Sequence, residues 1–365
     1  MKAKYDVTTE DLMTPVQKDA GRRAAPTILT DNPCALPADL ATRTEILTPT
    51  AEAWLERGLR RTGLPQAARR IRALRRGWTM FRRARKFDVV ITIGDLQGLF
   101  FASLQRLLKG RQRPVHVMHD CLWYGGGRLK RAWMRFCLGQ VDTCVVWASV
   151  ECDRYARAYG VPREKFFYVP HHHTLDRYRY ELGDEGYVFT GGNSDRDYGL
   201  FFAAVRDLSV HCVLATNNHS LMAGLEVPSN VQVVSVSAAG FRQLMARARI
   251  VVLPMRATLL HVGGQQSILN AMLMAKAVVS TDPAGGADYI DPGRTGIVVP
   301  YGDPIALRDA INWLAGNREE ARAMGERARL SAEPLTTERS NIAIWRHALQ
   351  LAQERKSGCG NHVSR

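Results

Sequence analysis

Short apolar runs and longer amphipathic stretches alternate along most of the chain. The runs are rich in Val and Ile. Such runs are typical of strands buried on both faces, and their alternation with helices indicates parallel sheets covered by helices. In the first half the predicted strands are residues 26–30, 45–48, 88–93, 114–118, 143–147 and 165–169. In the second half they are residues 187–190, 210–215, 231–235, 250–254, 277–281 and 296–299.

A charged segment separates the two series of strands. Residues Arg177–Glu185 contain no apolar run and are typical of a linker. A length of 365 residues also suits two domains of about 150 residues each. The sequence therefore predicts an α/β fold of two Rossmann-like, doubly wound domains facing a cleft. We expect an N-terminal domain over 1–178, a second domain over 179–335, and a crossover helix and tail over 336–365.

One predicted helical stretch, residues 51–86, combines an apolar stripe with many arginines. The stripe is formed by Leu64, Ala67, Ile71, Leu74, Trp78 and Phe81, spaced three or four residues apart. We interpret this stripe as the face that covers the domain's own sheet, with the arginines in solvent. The alternative is a helix that lies on an anionic bilayer.

The positive charge of the chain is concentrated in one window. The net charge is +15, and residues 51–140 hold 20 Lys and Arg against 5 Asp and Glu. This window lacks the aromatic pattern of an RNA-recognition sheet and the Cys/His spacing of a zinc finger, so nucleic-acid binding is not expected. Instead, the basic residues between 57 and 135 predict contact with an anionic membrane surface.

Bulk features indicate a compartment for the protein. There is no apolar run of about 18 residues and no apolar core behind the N-terminal lysines. The seven cysteines form no C-x-x-C pair, which is typical of reduced thiols. We expect a cytoplasmic protein that binds peripherally at the inner face of the membrane.

Three loops after predicted strands have the composition of anion-binding turns. Gly191 and Gly192 follow a strand and precede Arg196, whose guanidinium suits a phosphate. Gly263 and Gly264 precede a helix, so the backbone amides and the helix dipole predict an anion site at residues 265–267. The third loop, residues 282–288, has the same flexible character.

The order of these loops resembles that of a known family. The run from Ile250 to Gly316, with the stretches VVLP, GGQQSILNAMLMAKAVVS and TGIVVPYGDP, is similar to the second half of retaining, nucleotide-sugar-dependent GT-B glycosyltransferases (family 4-like, group 1). The stretch FTGGNSDRDYGLFFAAV resembles the phosphate-binding loop of that family. In the first half of the chain, the resemblance to this family depends on the stretch VVWASVECDRYARAYGVPREKFFYVP.

The resemblance implies a set of donor-binding residues. Arg196 takes the place of the basic residue that holds the donor diphosphate, and Asn270 takes that of a glutamate that holds the ribose. Val262 stands where the first glutamate of the family's Glu-x7-Glu pair usually lies, near the donor sugar, and Gln265 is the candidate to replace that contact. The implied donor-binding residues are Gly191, Gly192, Asn193, Arg196, Gly263, Gly264, Gln265, Gln266, Ser267 and Asn270.

His119 and Asp120 follow a predicted strand of the first half. His119 is similar to a family histidine that faces the donor sugar, and a histidine there hydrogen-bonds the sugar or relays a proton. The alternative is a strand-end histidine that caps a loop. The resemblance implies His119, Asp120 and Arg196 as catalytic residues.

No metal or other cofactor is expected. Asp195-Arg196-Asp197 matches a D-x-D pattern, but it lies inside a phosphate-type loop. The three consecutive histidines His171–His173 point to alternating sides of an extended chain. Arg196 and the amides at residues 263–267 supply the positive charge that a leaving diphosphate requires.

The expected function is that of a glycosyltransferase. It moves a sugar with retention, without a metal, from a nucleotide sugar to a membrane-associated or polysaccharide acceptor, such as a lipid-linked glycan. Two alternatives stay open. One is a nucleotide-sugar epimerase of similar fold, and the other is a catalytically weak nucleotide-binding scaffold in glycan assembly, suggested by Val262 and Asn270.

Overall fold

The structure is a computed structural model that divides into two compact units. It describes residues 26–30, 44–47, 54–62, 64–94, 96–108, 113–123, 125–257, 260–281 and 285–357. By their contacts, residues 1–146, 155–169 and 338–365 form unit 1, and residues 147–154 and 170–337 form unit 2. Residues 147–154 and 170–178, predicted within the first domain, thus group with unit 2.

Unit 1 is built on a parallel sheet. Its strands among the described residues are β1 (Ile28–Thr30), β2 (Thr44–Ile46), β3 (Val89–Ile93), β4 (Val115–His119), β5 (Thr143–Val146) and β6 (Phe166–Tyr168). They are ordered β2-β1-β3-β4-β5-β6, and each neighbouring pair is parallel. Every residue of β4 and β5 is buried, as expected for central strands covered on both faces.

Unit 2 contains a second parallel sheet. Its strands, within the part of the chain that is described, are β7 (Val188–Gly191), β8 (Cys212–Ala215), β9 (Val231–Val234), β10 (Ile250–Leu253), β11 (Ala277–Thr281) and β12 (Ile297–Val299). The order β12-β11-β10-β7-β8-β9 is the doubly wound order of a Rossmann sheet. The predicted α/β architecture of two parallel sheets with helices is therefore confirmed.

Helices connect the strands. They are α1 (Trp54–Arg61), α2 (Pro65–Ala84), α3 (Leu96–Gln105), α4 (Arg128–Gln140), α5 (Ser149–Tyr159), α6 (Tyr198–Val205), α7 (Ala238–Arg247), α8 (Gln265–Leu273), α9 (Pro304–Gly316), α10 (Arg318–Ala332) and α11 (Thr337–Ser357). Several begin at capping residues. Asp303 accepts hydrogen bonds from the Ile305 and Ala306 amides, which fixes the start of α9.

The helical stretch predicted over 51–86 is two helices. Pro65 has no amide hydrogen and stands in the first turn of α2, where none is needed. The packing face predicted for this stretch is partly wrong, since Leu74 and Trp78 are 38% and 48% exposed, whereas Ala68 and Met80 are buried. Gly77 lies so close to α3 that a β-carbon there would be 2.9 Å from the Gln97 carbonyl oxygen.

Two further expectations concern the cysteines and membrane spans. The described cysteines are buried thiols, namely Cys121, Cys137, Cys144, Cys152 and Cys212. Among the described residues, no helix has the length and apolarity needed to cross a membrane. The N-terminal lysines, the two remaining cysteines (Cys34 and Cys359), residues 282–284 of the third loop and the tail beyond Ser357 lie outside the described residues.

Candidate active site

The loops after β7 and β10 meet at the switch point of the second sheet. β7 and β10 are neighbours from which the strand order runs in opposite directions, and ligands of doubly wound folds bind beyond the carboxyl ends of such strands. The Asp197 amide donates to the Pro254 carbonyl at 2.7 Å, and the Arg256 amide donates to the Asp195 carbonyl at 3.1 Å. These backbone bonds hold the two loops together.

Arg196 is the buried cation of this edge, with only 4% of its surface exposed. Its guanidinium donates to the Gly191 carbonyl at 3.0 Å and to Oγ of Ser267 at 3.0 Å, and it contacts Sδ of Met255 at 2.9 Å. No carboxylate of the described residues lies within ion-pair distance of it. Burial lowers its pKa, but an arginine stays charged in proteins. An anion would satisfy this charge.

Both glycines at the end of β7 are required by close packing. A β-carbon on Gly191 would lie 2.6 Å from the Phe241 ring. Gly192 has φ +134°, and a β-carbon there would lie 3.0 Å from Nε of Arg196. These two residues therefore leave room for the ring and for the guanidinium. A larger residue at either position would force its neighbours to shift within a closely packed region.

Asn193 ties this loop to the loop after β8. Its side-chain Oδ1 accepts hydrogen bonds from Oγ1 of Thr216 at 3.1 Å and from the Asn217 amide at 2.9 Å. Asn218 donates through Nδ2 to the Asn193 carbonyl at 3.0 Å. Asn193 therefore has a positioning role in the structure, in addition to the donor contact predicted for it.

The N-terminus of α8 lies against Arg196. Gly264 precedes the helix with φ +92°, a left-handed conformation that favours glycine. The amides of residues 265–267 belong to the first turn, whose N–H groups have no partner inside the helix. Because Arg196 donates to Ser267, the guanidinium and the positive end of the helix dipole converge. The structure thus brings together the two anion-binding features that the sequence predicted separately.

Asn270 and Gln266 point to the same threonine. The Thr174 amide donates to Oδ1 of Asn270 at 3.0 Å. Nδ2 of Asn270 and Nε2 of Gln266 donate to Oγ1 of Thr174 at 3.2 and 3.0 Å. Both amide side chains thus hold the segment that enters unit 2 at residue 170. The sequence carried no signal for Thr174, which is an ordinary threonine after three histidines.

Val262 is buried beside a carboxylate that comes from another element. The Val262 amide and Nδ1 of His261 donate to Oε1 of Glu151 at 2.8 and 2.9 Å. Glu151 is only 1% exposed. Gln265, the candidate to compensate for the valine at position 262, donates through Nε2 to the Val262 carbonyl at 2.7 Å.

A second carboxylate from this region caps α5. Asp288 accepts from the Ser149 amide at 2.8 Å and from the Ser149 hydroxyl at 2.6 Å. Burial raises the pKa of Asp288, the negative charge of Glu151 adds to this effect, and the Ser149 bonds oppose it. Sequence reasoning missed Ser149 and Glu151. The signal present in the sequence was the S-x-E pattern at the start of a helix that directly follows a strand.

His119 and Asp120 lie in unit 1, at the carboxyl end of β4. His119 is 3% exposed, and its Nδ1 is 3.4 Å from Oδ2 of Asp120. Asp120 has φ +54°, an uncommon conformation for a residue with a side chain. A β-carbon on Gly94, after β3, would be 2.5 Å from the His119 carbonyl oxygen. The pair therefore lies in a tightly packed region at the carboxyl ends of the strands, which is where ligands of α/β folds bind.

Side chains of the D-x-D pattern and of the histidine run His171–His173 make contacts within the protein. Asp197 caps α6 by accepting from the Leu200 amide at 3.0 Å. The rings of His171 and His172 stack 4.8 Å apart, and Nδ1 of His173 is 3.3 Å from Asp176. Within the described parts of the chain, no group of three or more His, Cys, Asp or Glu side chains converges in a way that would hold a metal ion.

Two family models match the chain, one in each half. Residues 20–172 match the "Glycosyl transferase 4-like domain", and residues 200–317 match "Glycosyl transferases group 1". A segment of 72 residues is 35% identical to the D-rhamnosyltransferase WbpZ of Pseudomonas aeruginosa. This match covers 20% of the chain and only 19% of the relative's length.

Solved structures share the fold. Alr3699/HepE of Anabaena, in complex with UDP, aligns over 92% of this chain and 100% of its own, with a TM-score of 0.62 and 14% identity. Sucrose-phosphate synthase of Thermosynechococcus elongatus aligns over 87% of this chain and 83% of its own, with a TM-score of 0.61 and 15% identity.

Two parallel sheets, each with six described strands, and a match to a glycosyltransferase family in each half define the class of the protein. The chain belongs to the glycosyltransferases of the GT-B fold, as predicted, while the retaining mechanism that the resemblance implies stays a prediction. More narrowly, its second half carries the group 1 domain and its first half the 4-like domain.

Proposed function

We propose that this glycosyltransferase binds the diphosphate of a nucleotide-sugar donor at Arg196 and the N-terminus of α8. The observation that carries the proposal is the buried Arg196 guanidinium. The guanidinium donates hydrogen bonds to neutral acceptors, the Gly191 carbonyl and the hydroxyl of Ser267 in the first turn of α8. A buried cation attracts a multiply charged anion more strongly than a solvent-exposed cation does, because the dielectric around it is low.

The chemistry that this site favours is departure of a nucleoside diphosphate. Negative charge develops on the leaving phosphate oxygen as the bond to the anomeric carbon breaks. Arg196 and the amides of residues 265–267 supply fixed positive potential for that charge. We therefore propose transfer without a metal ion, and with retention of configuration as the family resemblance implies. His119 is proposed to hydrogen-bond the sugar or to relay a proton.

The similar proteins support this class of donor. Alr3699/HepE was solved with UDP, which is a nucleoside diphosphate. WbpZ is named a D-rhamnosyltransferase, and its 72-residue similarity is compatible with a hexosyl donor. We propose a nucleotide sugar of this class as the co-substrate.

We propose that the acceptor is membrane-associated, because helix α4 exposes large apolar side chains on one face. Leu129, Trp133 and Phe136 are 89%, 36% and 38% exposed, and their spacing places them on one helix face. The buried residues Met134 and Cys137 lie on another face. An exposed apolar stripe of this kind suits insertion at the boundary of lipid headgroups and acyl chains.

The charges around α4 select an anionic surface. Arg128, Arg131 and Arg135 recur at helical spacing beside the apolar stripe, and residues 121–141 contain no Asp or Glu. On α2, Leu74 and Trp78 are likewise exposed, and α3 packs against both helices. We propose that α2 and α4 hold unit 1 peripherally on an anionic, cytoplasmic membrane face, where a lipid-linked glycan or a growing polysaccharide is the acceptor.

The test is a donor screen followed by product analysis. Melting temperatures of the full chain are measured with UDP, GDP, ADP and their sugars, and the stabilising sugar is incubated with and without membrane lipid extract and with EDTA. A glycosylated lipid formed in EDTA, with the anomeric configuration of the donor, supports the proposal. Isomerised donor formed without acceptor indicates the epimerase alternative, and binding without turnover indicates the scaffold. No stabilisation by any compound rejects the proposed donor site.

A further inference from the structure

Glu151 is a buried carboxylate that the proposed reaction does not use. It lies in the first turn of α5, and its Oε1 receives two hydrogen bonds, from the Val262 amide and from Nδ1 of His261. Both donors belong to the loop that enters α8. A buried side-chain oxygen that accepts two hydrogen bonds fixes its partners, because both bonds are shielded from water.

The loop that Glu151 holds leads directly into the anion site. Two residues, Gly263 and Gly264, separate Val262 from the first turn of α8. Glycine pairs are conformationally permissive, so the amides of residues 265–267 keep one orientation only if the chain before them is fixed. On the other side, Gln265 donates to the Val262 carbonyl. Val262 is thus held at both its amide and its carbonyl.

The surrounding packing restricts this loop further. A β-carbon on Gly285 would lie 2.6 Å from Cγ1 of Val262 and 3.2 Å from Cβ of Ala148. Ser149 is fixed in turn by the carboxylate of Asp288. The first turn of α5 is therefore bonded to the loop after β10 through Glu151 and to the loop after β11 through Ser149.

We propose that Glu151 is a positioning residue of the donor site. It orients the loop 261–264 so that the amides at the start of α8 face the donor diphosphate, and it does so through hydrogen bonds rather than through contact with the donor. The inference rests on the proposed donor site, and it adds a residue from outside the segment that matches the group 1 model.

Two variants separate positioning from charge. Glu151→Gln keeps a side-chain oxygen that accepts from Val262 and His261, whereas Glu151→Ala removes it. The matched control on the same helix is Asp153→Ala, at an exposed position. In the full chain without ligand, we expect faster hydrogen exchange at residues 261–267 in Glu151→Ala, and near wild-type exchange in Glu151→Gln and in the control.

The kinetic readout uses the donor identified in the screen, with UDP or GDP as the binding probe. Glu151→Ala is expected to weaken nucleotide binding and to raise the donor KM roughly tenfold, with the acceptor KM unchanged and with Glu151→Gln close to wild type. Unchanged exchange at 261–267 in Glu151→Ala, or an equal weakening of binding in the Gln and Ala variants, overturns the inference. Should the wild type bind no nucleotide, the exchange experiment still tests the positioning role while the donor assignment itself fails.

Discussion

Nη2 of Arg196 donates a hydrogen bond to Oγ of Ser267 at 3.0 Å, which joins the loop after β7 to the first turn of α8. Replacing Arg196 with Ala or Lys is expected to weaken nucleotide binding by roughly 10- to 100-fold. Lysine keeps the charge but lacks the planar fork that contacts Gly191 and Ser267 simultaneously. Isothermal calorimetry with the stabilising nucleoside diphosphate measures the effect. Arg206→Ala, at an exposed arginine that follows α6, is the control, and equal affinity in the Arg196 variants would contradict the assignment.

Gly264 offers a test of the loop geometry. Its φ is +92°, and a β-carbon there would lie 2.9 Å from Sδ of Met255. Alanine at this position is therefore unfavourable by about 1–2 kcal/mol of backbone strain plus the steric contact. Gly264→Ala should lower the melting temperature and weaken nucleotide binding. The control is Gly302→Ala. Gly302 also has a positive φ, +69°, but a β-carbon there would have no heavy atom within 4 Å. This substitution should lower stability alone, and a Gly302 variant that also failed to bind would argue against a local effect at α8.

His119 is expected to affect turnover more than affinity. It belongs to unit 1, whereas Arg196 and Ser267 belong to unit 2. His119→Ala should therefore leave the Kd of the nucleoside diphosphate near wild type and reduce kcat by roughly 100-fold, the usual contribution of a positioned proton donor or acceptor. Stopped assays of product formation at saturating donor measure kcat. Full turnover in His119→Ala would favour the alternative of a loop-capping histidine.

Helix α4 provides the test of membrane contact. Substituting Arg128, Arg131 and Arg135 by Gln should reduce binding to anionic vesicles on the order of 100-fold, given about 1 kcal/mol per basic residue near the surface. Trp133→Ser with Phe136→Ser should reduce it as well. The matched controls in unit 2 are the exposed arginines Arg206, Arg294 and Arg322, and the exposed apolar residues Trp313 and Leu330.

Sedimentation with vesicles containing phosphatidylglycerol measures this binding at low and high salt. The wild type should bind less as salt increases. Equal binding to neutral phosphatidylcholine vesicles, or an equal effect of the unit 2 substitutions, would count against a specific role of α4.

Acid should destabilise unit 1 through His116. Burial lowers the pKa of His116 to about 3, with a smaller contribution from the charge of Arg113. The unfolded chain takes up a proton near pH 6.5 and the folded chain does not, so stability falls as the pH drops below 6.5. At about pH 5 this single group accounts for about 2 kcal/mol. His116→Gln keeps a hydrogen-bonding group beside Thr92 and removes the titration.

Hydrogen exchange of β3–β5 at about pH 7.5 and about pH 5, on either side of the ordinary histidine pKa, compares the two proteins. After correction for the intrinsic exchange rates, the wild type should lose more protection than His116→Gln. An equal loss of protection would assign the acid sensitivity to other groups, such as His347, whose pKa burial lowers to about 4.

The fold was predictable because buried parallel strands have a distinctive pattern. Runs such as 250–254 and 277–281 correspond to β10 and β11 with shifts of at most one residue. The packing face of α2 was not predictable, because it uses Ala68 and Gly77 to approach its neighbours closely, whereas the apolar stripe at Leu74 and Trp78 is exposed. Hydrophobic spacing identifies an apolar face, but it does not say what covers it.

The candidate site was partly predictable for a similar reason. Glycines and a basic residue between a strand and a helix indicate an anion site locally, and Arg196 and Ser267 lie together as that reasoning requires. Glu151, Thr174 and Asp288 each make their contacts in this region across more than 90 residues of sequence. Such contacts depend on which strands are neighbours, and a single sequence does not reveal that order.

The path of the chain between the units has a consequence for how the protein is divided. The chain passes from one unit to the other after residues 146, 154, 169 and 337. A fragment cut at residue 170 would therefore carry the glycine loops and Arg196 but leave behind Ser149 and Glu151, with the Val262 amide and the Asp288 carboxylate deprived of their partners. A fragment of the second half that keeps these hydrogen bonds therefore has to include the short segment 147–154, which groups with unit 2 although it lies before residue 170.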